Sequence, residues 1–273
     1  MKSIDIERLM SILREAAKAE ILPRFRHLSA GMVRQKTSAV DLVTEADEAA
    51  ERRIHAEVAK LAPDALFIGE ESVAADPKLL DGMAAADLAV IIDPIDGTSN
   101  FASGLPLFGV MAAVLAKGET IAGIIYDPMG DDFVVAESGS GAWLRLPDGS
   151  NERLRAAGPV ALEDMVGAAS MSALPREIKP TIYANLAKLR SAAAYRCAAH
   201  EYRTLAGGHF HYLMFNKLLP WDHAMGALIA AEAGAYIARF DGSAYRPEHM
   251  SGGILVAPDK ASWEMLRKEV FAV

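Results

Sequence analysis

Two carboxylates follow an apolar run that predicts a buried strand. Residues 88–92 are Leu-Ala-Val-Ile-Ile, Asp93 comes next, and Asp96 follows three positions later. Pro94 fixes one φ angle, so a turn there would point both carboxylates toward one place and leave the Ile95 carbonyl as a third oxygen. Two carboxylates about 4 Å apart repel by roughly 4 kcal/mol at an effective dielectric of 20. Mg²⁺, which prefers oxygen ligands, would offset that repulsion.

The same residues have a simpler explanation as an Asx turn in a surface loop, which needs no metal. Two more acidic segments lie beside apolar elements: Glu70 and Glu71 follow the apolar residues 67–69, and Asp222 begins an apolar helix. Glutamates at a strand end can be merely solvated. An aspartate in the first helical turn complements the helix dipole by about 0.3–1 kcal/mol. Each segment alone leaves both explanations open.

Together, the three acidic segments and their flanks closely resemble the inositol monophosphatase superfamily of Mg²⁺-dependent phosphomonoesterases. The similarity covers roughly residues 30–260, and its most specific element is the DPIDGT run. The residues that carry it are Lys36, residues 41–47, Glu70-Glu71-Ser72, Asp93-Pro94-Ile95-Asp96-Gly97-Thr98-Ser99-Asn100-Phe101, Gly139-Ser140-Gly141-Ala142 and Trp221-Asp222.

The resemblance implies a set of metal ligands. Glu70, Asp93 and the Ile95 carbonyl are expected to hold a first Mg²⁺. Asp93, Asp96 and Asp222 are expected to hold a second, and a third, weaker Mg²⁺ is expected near Glu70. The second metal and Asp222 would stabilise the leaving alkoxide of a phosphate ester.

The resemblance also implies how the phosphate and the attacking water are held. Gly97, Thr98 and Ser99 would bind the phosphate at the start of a short helix, where free backbone N–H groups favour an anion. Thr98 and Asp47, with Glu70, would orient a metal-activated water that attacks phosphorus in line, without a phosphoenzyme. Asp47 also has a simpler role, because Thr44 with Asp47 three residues later resembles a capping box.

The segments that contact the substrate depart from the family pattern. Inositol-specific members carry a glutamate shortly before the Trp-Asp pair, where residues 215–220 here read Phe-Asn-Lys-Leu-Leu-Pro. Asn216 or Lys217 would take the place of that glutamate. Tyr195-Arg196-Cys197 replaces a small Gly-x-Ala stretch, so Arg196 either pairs with a second phosphate or carboxylate of the substrate or lies on the surface.

The expected function is therefore hydrolysis of a small sugar or polyol phosphate, similar to inositol 1-phosphate. The alternatives are a phosphatase of histidinol phosphate, fructose 1,6-bisphosphate or 3′-phosphoadenosine nucleotides, or a non-catalytic partner of the transcription machinery. A homodimer and inhibition by lithium are also implied by the family.

Composition excludes other classes. The 273 residues are 52% hydrophobic, so a sizeable core can form. The 28 Lys+Arg against 36 Asp+Glu give a net charge of −8, which argues against sequence-independent nucleic-acid binding. The single cysteine excludes an internal disulfide. A charged N-terminal segment and the lack of a long apolar run predict a cytoplasmic protein that does not enter a membrane.

Other polar residues are weaker candidates for a metal site or a catalytic role. His209 and His211 alternate along a predicted strand and could bind a metal, although structural hydrogen bonds are the commoner role. His200-Glu201 lacks the second histidine of an HExxH zinc site, since position 204 is Thr. Cys197 is expected to be a small buried residue.

The spacing of apolar residues predicts the helices and strands that must position these side chains. Residues 1–20 predict an amphipathic helix that ends near Pro23, and residues 44–61 predict a second helix. Lys117-Gly118-Glu119-Thr120 predicts a hairpin, and Gly139-Ser140-Gly141 predicts another tight turn. The predicted strands of this half are Ala65–Ile68, Leu88–Ile92, Phe108–Ala116, Ile121–Tyr126 and Phe133–Ala136.

Beyond residue 150 the pattern changes to alternating helices and strands. We predict helices near residues 180–190, from Cys197, over residues 222–234 and at the C-terminus, with strands at residues 209–215 and 253–256. The predicted division is an α+β half over residues 1–150 and an α/β half over residues 151–273. By resemblance, the fold class is a layered αβαβα sugar-phosphatase fold, with a mainly antiparallel sheet half beside a smaller α/β half.

Overall fold

The computed structural model describes residues 4–28, 33–38 and 41–272. The helices are α1 (Ile6–Ala16), α2 (Glu45–Leu61), α3 (Glu70–Ala75), α4 (Thr98–Ala102), α5 (Lys179–Leu186), α6 (Ala198–Ala206), α7 (Pro220–Glu232) and α8 (Lys260–Glu269). The strands are β1 (Val33–Ser38), β2 (Asp41–Thr44), β3 (Leu66–Gly69), β4 (Ala89–Asp96), β5 (Gly109–Ala116), β6 (Glu119–Asp127), β7 (Asp132–Glu137), β8 (Gly141–Arg145), β9 (Asn151–Arg153), β10 (Val166–Ala169), β11 (Ser191–Ala193), β12 (Tyr212–Phe215), β13 (Tyr236–Arg239) and β14 (Ile254–Ala257). None of the helices in those ranges is long and apolar enough to span a bilayer.

Strands β3 to β9 form one sheet, the large sheet, in their order along the chain. β3 pairs parallel with β4, and each later neighbour pairs antiparallel. Ala116 pairs with Glu119, so Lys117 and Gly118 form a two-residue turn with φ of 51° and 77°. Positive φ at both positions defines a type I′ turn, which matches the strand twist. The predicted hairpin and the antiparallel sheet are confirmed.

Strands β10 to β14 form the small sheet, in the order β11-β10-β12-β14-β13. β10 pairs parallel with β11 and β12, while β14 pairs antiparallel with β12 and β13. All strands of the large sheet precede those of the small sheet in sequence, but helices α6 and α7 pack between the two. The division near residue 150 stays a prediction.

The core consists of three apolar clusters that alternate with the sheets. Val90 and Ile92 face the helices α1 and α2, whereas the intervening Ile91 faces α6 and α7 on the other side of the large sheet. Leu213 of the small sheet faces α6 and α7, and Met214 faces the outer helix α8. The alternation follows the two-residue period of a strand, so both sheets bury both faces. The predicted αβαβα layering is confirmed.

Several predicted boundaries are wrong. β12 begins at Tyr212 instead of His209, because Gly207 and Gly208 form a turn after α6 in which Gly208 has a φ of 79°. The helix predicted over residues 180–190 ends at Leu186. β4 does not end at Ile92 but continues through the DPID run.

Gly123 allows α7 to lie directly on the large sheet. A Cβ at this position of β6 would lie 2.7 Å from the Met225 carbonyl oxygen and 3.0 Å from its Cα, and these backbone atoms cannot move cheaply. We expect Gly123→Ala to lower the free energy of unfolding by about 1–3 kcal/mol, as overpacking does. Urea unfolding measures this change. Gly158→Ala, which adds a methyl group where no atom lies within 4 Å, is the control and should change stability little; equal effects of both would contradict the packing argument.

Candidate active site

A β-bulge in β4 brings Asp93 and Asp96 to the same side of the sheet. Residues three apart on a regular strand face opposite sides. Here Asp93 pairs with Met111 and Asp96 pairs with Gly109, so three steps along β4 match two steps along β5. The extra residue shifts the alternation by one, which is the usual effect of a bulge. The turn expected at Pro94 is thus a bulge inside a strand that stays paired.

Both carboxylates are buried and fixed by hydrogen bonds. Asp93 is 2% exposed, and its Oδ1 accepts from the Ile95 amide at 3.0 Å. The Asx turn of the simpler explanation therefore exists, but it is buried instead of on the surface. Asp96 Oδ2 accepts from the Ala199 amide at 2.5 Å and from the Cys197 thiol at 3.0 Å, so it caps the N-terminus of α6.

Asp222 joins these two residues from a distant part of the sequence. It lies in the first turn of α7, and one carboxylate oxygen each of Asp93, Asp96 and Asp222 lie within 4.8 Å of one another. Glu70, the first residue of α3, lines the same cleft and is close enough to affect the titration of Asp93. Four carboxylates from three predicted segments thus meet at one place.

Electrostatics at this cluster favour a bound cation. Burial raises the pKa of Asp93 well above its ordinary value of 3.8, and the charges of Glu70, Asp96 and Asp222 raise it further. Burial also raises the pKa of Asp96, although the hydrogen bonds at the start of α6 oppose that shift. Buried carboxylates that are forced together become stable in the charged form when a divalent cation binds them. An all-oxygen set of this kind suits Mg²⁺.

Glu51 positions Glu70 and was missed in the sequence. It is 4% exposed, and its carboxylate accepts from the Glu71 amide at 2.7 Å, the Ser72 amide at 2.7 Å and the Ser72 hydroxyl at 2.5 Å. These bonds cap α3, which begins at Glu70. A side chain on Gly69 would overlap this carboxylate. The signal was available, because position 51 falls in the buried stripe of α2 together with Ala50 and Ile54.

Asp47 contacts both its own helix and Thr98, the first residue of α4. Its Oδ2 accepts from the Thr44 amide at 2.8 Å, and Thr44 Oγ1 accepts from the Ala46 amide at 3.2 Å, so the predicted capping box is present. The Thr98 hydroxyl lies 3.2 Å from Asp47 Oδ1 and 3.0 Å from the Ile95 carbonyl oxygen. The capping role and the proximity to the cleft coexist in one carboxylate.

The segment after Asp96 turns sharply at Gly97. Its φ is +88°, and a Cβ there would lie 2.8 Å from the Leu107 carbonyl oxygen and 3.2 Å from Cys197 Sγ. Only glycine fits such a position without strain. Cys197 is buried as predicted, and its thiol also contacts Asp96, a role that the sequence did not reveal.

Arg196 is exposed and lines the cleft next to this segment. Its φ is +54°, and its Nη2 donates to Asn100 Oδ1 at 2.9 Å. Asn100 Nδ2 donates in turn to the Leu107 and Tyr195 carbonyls at 2.9 and 2.8 Å. Ser99 lines the cleft as well, and the cleft volume is about 550 Å³.

The remaining predicted residues fall elsewhere. His209 is exposed and precedes the strand, and His211 Nδ1 accepts from the Val166 amide at 3.2 Å. The two histidines therefore do not alternate on one strand face, and His211 has a structural hydrogen bond. The side chains of Lys36 and Asp41 lie outside the part of the chain that the structure describes.

Comparison with known proteins identifies the family. The model of the inositol monophosphatase family matches residues 5–272. The inositol-1-monophosphatase of Mesorhizobium japonicum is 32% identical over 84% of this chain and 83% of its own. The Nus factor SuhB of Haemophilus influenzae is 34% identical over 84% of this chain and 82% of its own. The crystal structure of the extragenic suppressor protein suhB from Bartonella henselae has a TM-score of 0.83 at 27% identity and covers 98% of both chains. This chain belongs to the inositol monophosphatase family.

Neutralising Glu51 should disturb α3 and the position of Glu70, its first residue. In Glu51→Gln, an amide N–H₂ replaces one acceptor oxygen and faces a backbone N–H of α3, so a buried donor loses its partner. We expect the free energy of unfolding to fall by about 1–3 kcal/mol, and the affinity for Mg²⁺ to fall as Glu70 shifts. Glu57→Gln on the same helix, whose carboxylate contacts exposed Lys60, is the matched control. Unchanged Mg²⁺ affinity in Glu51→Gln, measured by calorimetry, would show that Glu51 does not position Glu70.

Magnesium should stabilise the protein more strongly as pH rises. The folded-state pKa of Asp93 lies above its unfolded value, so stability is present at low pH and is lost as pH rises through the raised pKa. A divalent cation favours the charged carboxylate and reverses that loss. We expect the gain in Tm on adding Mg²⁺ to grow from pH values near 3.8 toward neutral pH. In Asp93→Asn the gain should be small at every pH, and a gain independent of pH in the unmodified protein would contradict this account.

Proposed function

We propose that this protein is a Mg²⁺-dependent phosphomonoesterase that hydrolyses a small sugar or polyol phosphate. The observation that supports the proposal most directly is the convergence of Asp93, Asp96 and Asp222 within 4.8 Å in a cleft of about 550 Å³. A cleft of this size suits a small metabolite. Family membership supports phosphate-ester hydrolysis as the chemistry.

The donor set fits a divalent metal. Glu70, Asp93 and the Ile95 carbonyl are the proposed ligands of one Mg²⁺, and Asp93, Asp96 and Asp222 are those of another, with a third ion near Glu70. Bound Mg²⁺ supplies Lewis-acid chemistry, because it neutralises charge on the phosphate and makes water more acidic. The negative charges of these carboxylates disfavour an anionic occupant of the same position.

Thr98 and Asp47 are the proposed positioning groups for the attacking water. Both hydrogen-bond partners of the Thr98 hydroxyl, Asp47 Oδ1 and the Ile95 carbonyl, are acceptors, so the hydroxyl donates its one hydrogen to one of them. Its lone pairs are then oriented to accept a hydrogen bond from water. Asp47 is completely buried and held by Thr44, so its carboxylate stays in place beside the hydroxyl.

Substrate binding is proposed for the segment Gly97-Thr98-Ser99, for Arg196 and for Asp222. Gly97 brings the backbone beside the acidic cluster, and Arg196 is fixed nearby by Asn100. Asp222 lies at the edge of the cluster and is partly exposed, so it can contact both a metal and the leaving group. A homodimer and lithium inhibition stay predictions that rest on the family alone, and a cytoplasmic location stays a prediction from the sequence.

Turnover of a phosphomonoester panel tests the proposal. We expect hydrolysis with Mg²⁺, loss of activity in EDTA, and a drop in kcat/KM of roughly a hundredfold or more in Asp93→Asn, beyond what loss of an outer-shell partner costs. The substitution preserves shape and the hydrogen bond from Ile95, so the protein should still fold. Equal rates with Mg²⁺ and with EDTA would contradict the metal-dependent chemistry.

A second candidate function is docking to the transcription machinery, and the relative named Nus factor SuhB favours it. Such a role needs a surface and not the acidic cluster. A pull-down of elongation complexes with the unmodified protein and with Asp93→Asn separates the two functions. Docking that survives the substitution, together with lost hydrolysis, would show that both roles exist independently; no capture by either protein would remove the second candidate.

A further inference from the structure

The wall of the cleft beyond the acidic cluster carries an excess of positive charge. Among the described residues that line it, the charged side chains outside the cluster are Lys179, Arg196, Lys217 and Glu201. The whole chain has a net charge of −8, so three cations in the lining of one cleft reverse that charge balance locally. Glu201 does little to cancel them, because it is 3% exposed and its Oε1 accepts from the Tyr195 amide.

These cations are available to a ligand. Within the described ranges, none of the three forms an ion pair with a carboxylate. Lys179 Nζ donates to the Ser172 carbonyl at 3.1 Å, and Arg196 Nη2 donates to Asn100 Oδ1 at 2.9 Å, so both keep donors for an anion. Lys217 is exposed. By contrast, exposed lysines elsewhere, such as Lys188 and Lys268, each contact Glu269.

Two of the cations are anchored to the same elements that carry the metal ligands. Arg196 directly precedes Cys197, whose thiol contacts Asp96 at 3.0 Å. The carbonyl of Lys217 lies 3.0 Å from Nε2 of His223, the residue after Asp222. A carbonyl only accepts, so the Nε2 hydrogen points at it and fixes the Lys217 backbone at the cleft. Lys179 is the first residue of α5 and also lines the cleft.

A neutral polyol does not require three cations around it. Inositol-like substrates offer hydroxyl groups, which polar and acidic side chains bind well, whereas the position of the family glutamate here falls in residues 215–220, which include Lys217 and no acid. Lysine and arginine bind phosphate and carboxylate oxygens by charge-assisted hydrogen bonds, which are stronger than neutral ones.

We propose that the leaving group of the substrate carries a second anionic group, and that Lys179, Arg196 and Lys217 form the subsite that binds it. This inference rests on the proposed phosphatase function and narrows its substrate class. A dianionic phosphate matches three cations better than a carboxylate does, so bisphosphorylated compounds are the preferred class and phosphorylated acids come second.

Matched substrates test the inference. Glycerol 1-phosphate, 3-phosphoglycerate and glycerol 1,3-bisphosphate share three carbons and differ in the group far from the scissile ester, and glucitol 6-phosphate with glucitol 1,6-bisphosphate repeats the comparison over six carbons. We expect kcat/KM to rise from the neutral ester to the carboxylate to the bisphosphate in at least one of the two substrate series. The expected rise is roughly tenfold for each added charge-assisted contact. The gain should appear mainly in KM, because these contacts form in the ground state as well as the transition state.

Variants of Lys217 assign the effect to the subsite. Lys217→Gln should lower kcat/KM for the preferred bisphosphate roughly tenfold and change that for the neutral ester less than about threefold, and Lys217→Arg should restore it. Lys268→Gln removes the same charge outside the cleft and should leave both substrates unaffected. Because Lys217 is exposed, these variants should fold, and equal Tm values check this.

The outcomes separate the two proposals. Metal-dependent hydrolysis with the same kcat/KM for neutral and for anionic leaving groups, in both the three-carbon and the six-carbon series, would overturn the second-anion subsite. It would leave the proposed phosphatase function unaffected. A preference for bisphosphates that Lys217→Gln does not reduce would overturn the assignment of Lys217. Failure to hydrolyse any ester with Mg²⁺ would overturn both.

Discussion

The mutual repulsion of buried carboxylates is the constraint on which the rest of this structure depends. Asp93, Asp96 and Asp222 bring their oxygens within 4.8 Å of one another, and Asp93 and Asp96 are buried away from water. Each pair at such a distance costs several kcal/mol unless protons or cations offset it. A shared divalent cation would offset the repulsion and would also supply the positive charge that a phosphate ester needs. The repulsion that makes the cluster unfavourable to assemble therefore also gives it affinity for a cation.

The fold opposes this repulsion with capping interactions that hold in place the segments carrying the acidic residues. Asp96 caps α6, Glu51 caps the helix that begins at Glu70, and Asp47 closes the capping box of α2 while contacting Thr98. These bonds connect the large sheet with helices on both of its faces. The site is thus built from helix ends whose unpaired amides would otherwise need partners. The β4 bulge completes it, since without the extra residue Asp93 and Asp96 would face opposite sides.

The amino-acid sequence predicts the parts that depend on local chemistry. The capping box at Thr44 and the hairpin at Gly118 use residue types that few local conformations accept, and the structure contains both features. The DPIDGT run brings Asp93 and Asp96 together as predicted, but through a bulge in a paired strand instead of the predicted turn. The layered fold followed from resemblance, because periodicity alone does not say which helix covers which sheet.

What the sequence did not reveal depends on contacts between distant segments. The bulge needs the register of β4 against β5, and Glu51 or Cys197 gains its role only when α2 meets α3 or α6 meets the DPID segment. The predicted start of β12 at His209 was wrong because the turn at Gly207 and Gly208 delays the strand. Arg196 and Lys217 were already candidates in the sequence, but only the fold places Lys179 with them in the lining of one cleft.

Calorimetric titration of the metal-free protein with Mg²⁺, in two buffers of different ionisation enthalpy, tests the central claim most directly. If the acidic cluster is held together by a shared cation, Mg²⁺ binds and displaces protons, so the apparent enthalpy differs between the buffers, and both signals are lost when Asp93 and Asp96 are replaced by Asn. Binding without proton release, or binding that persists in the doubly substituted protein, would contradict the claim.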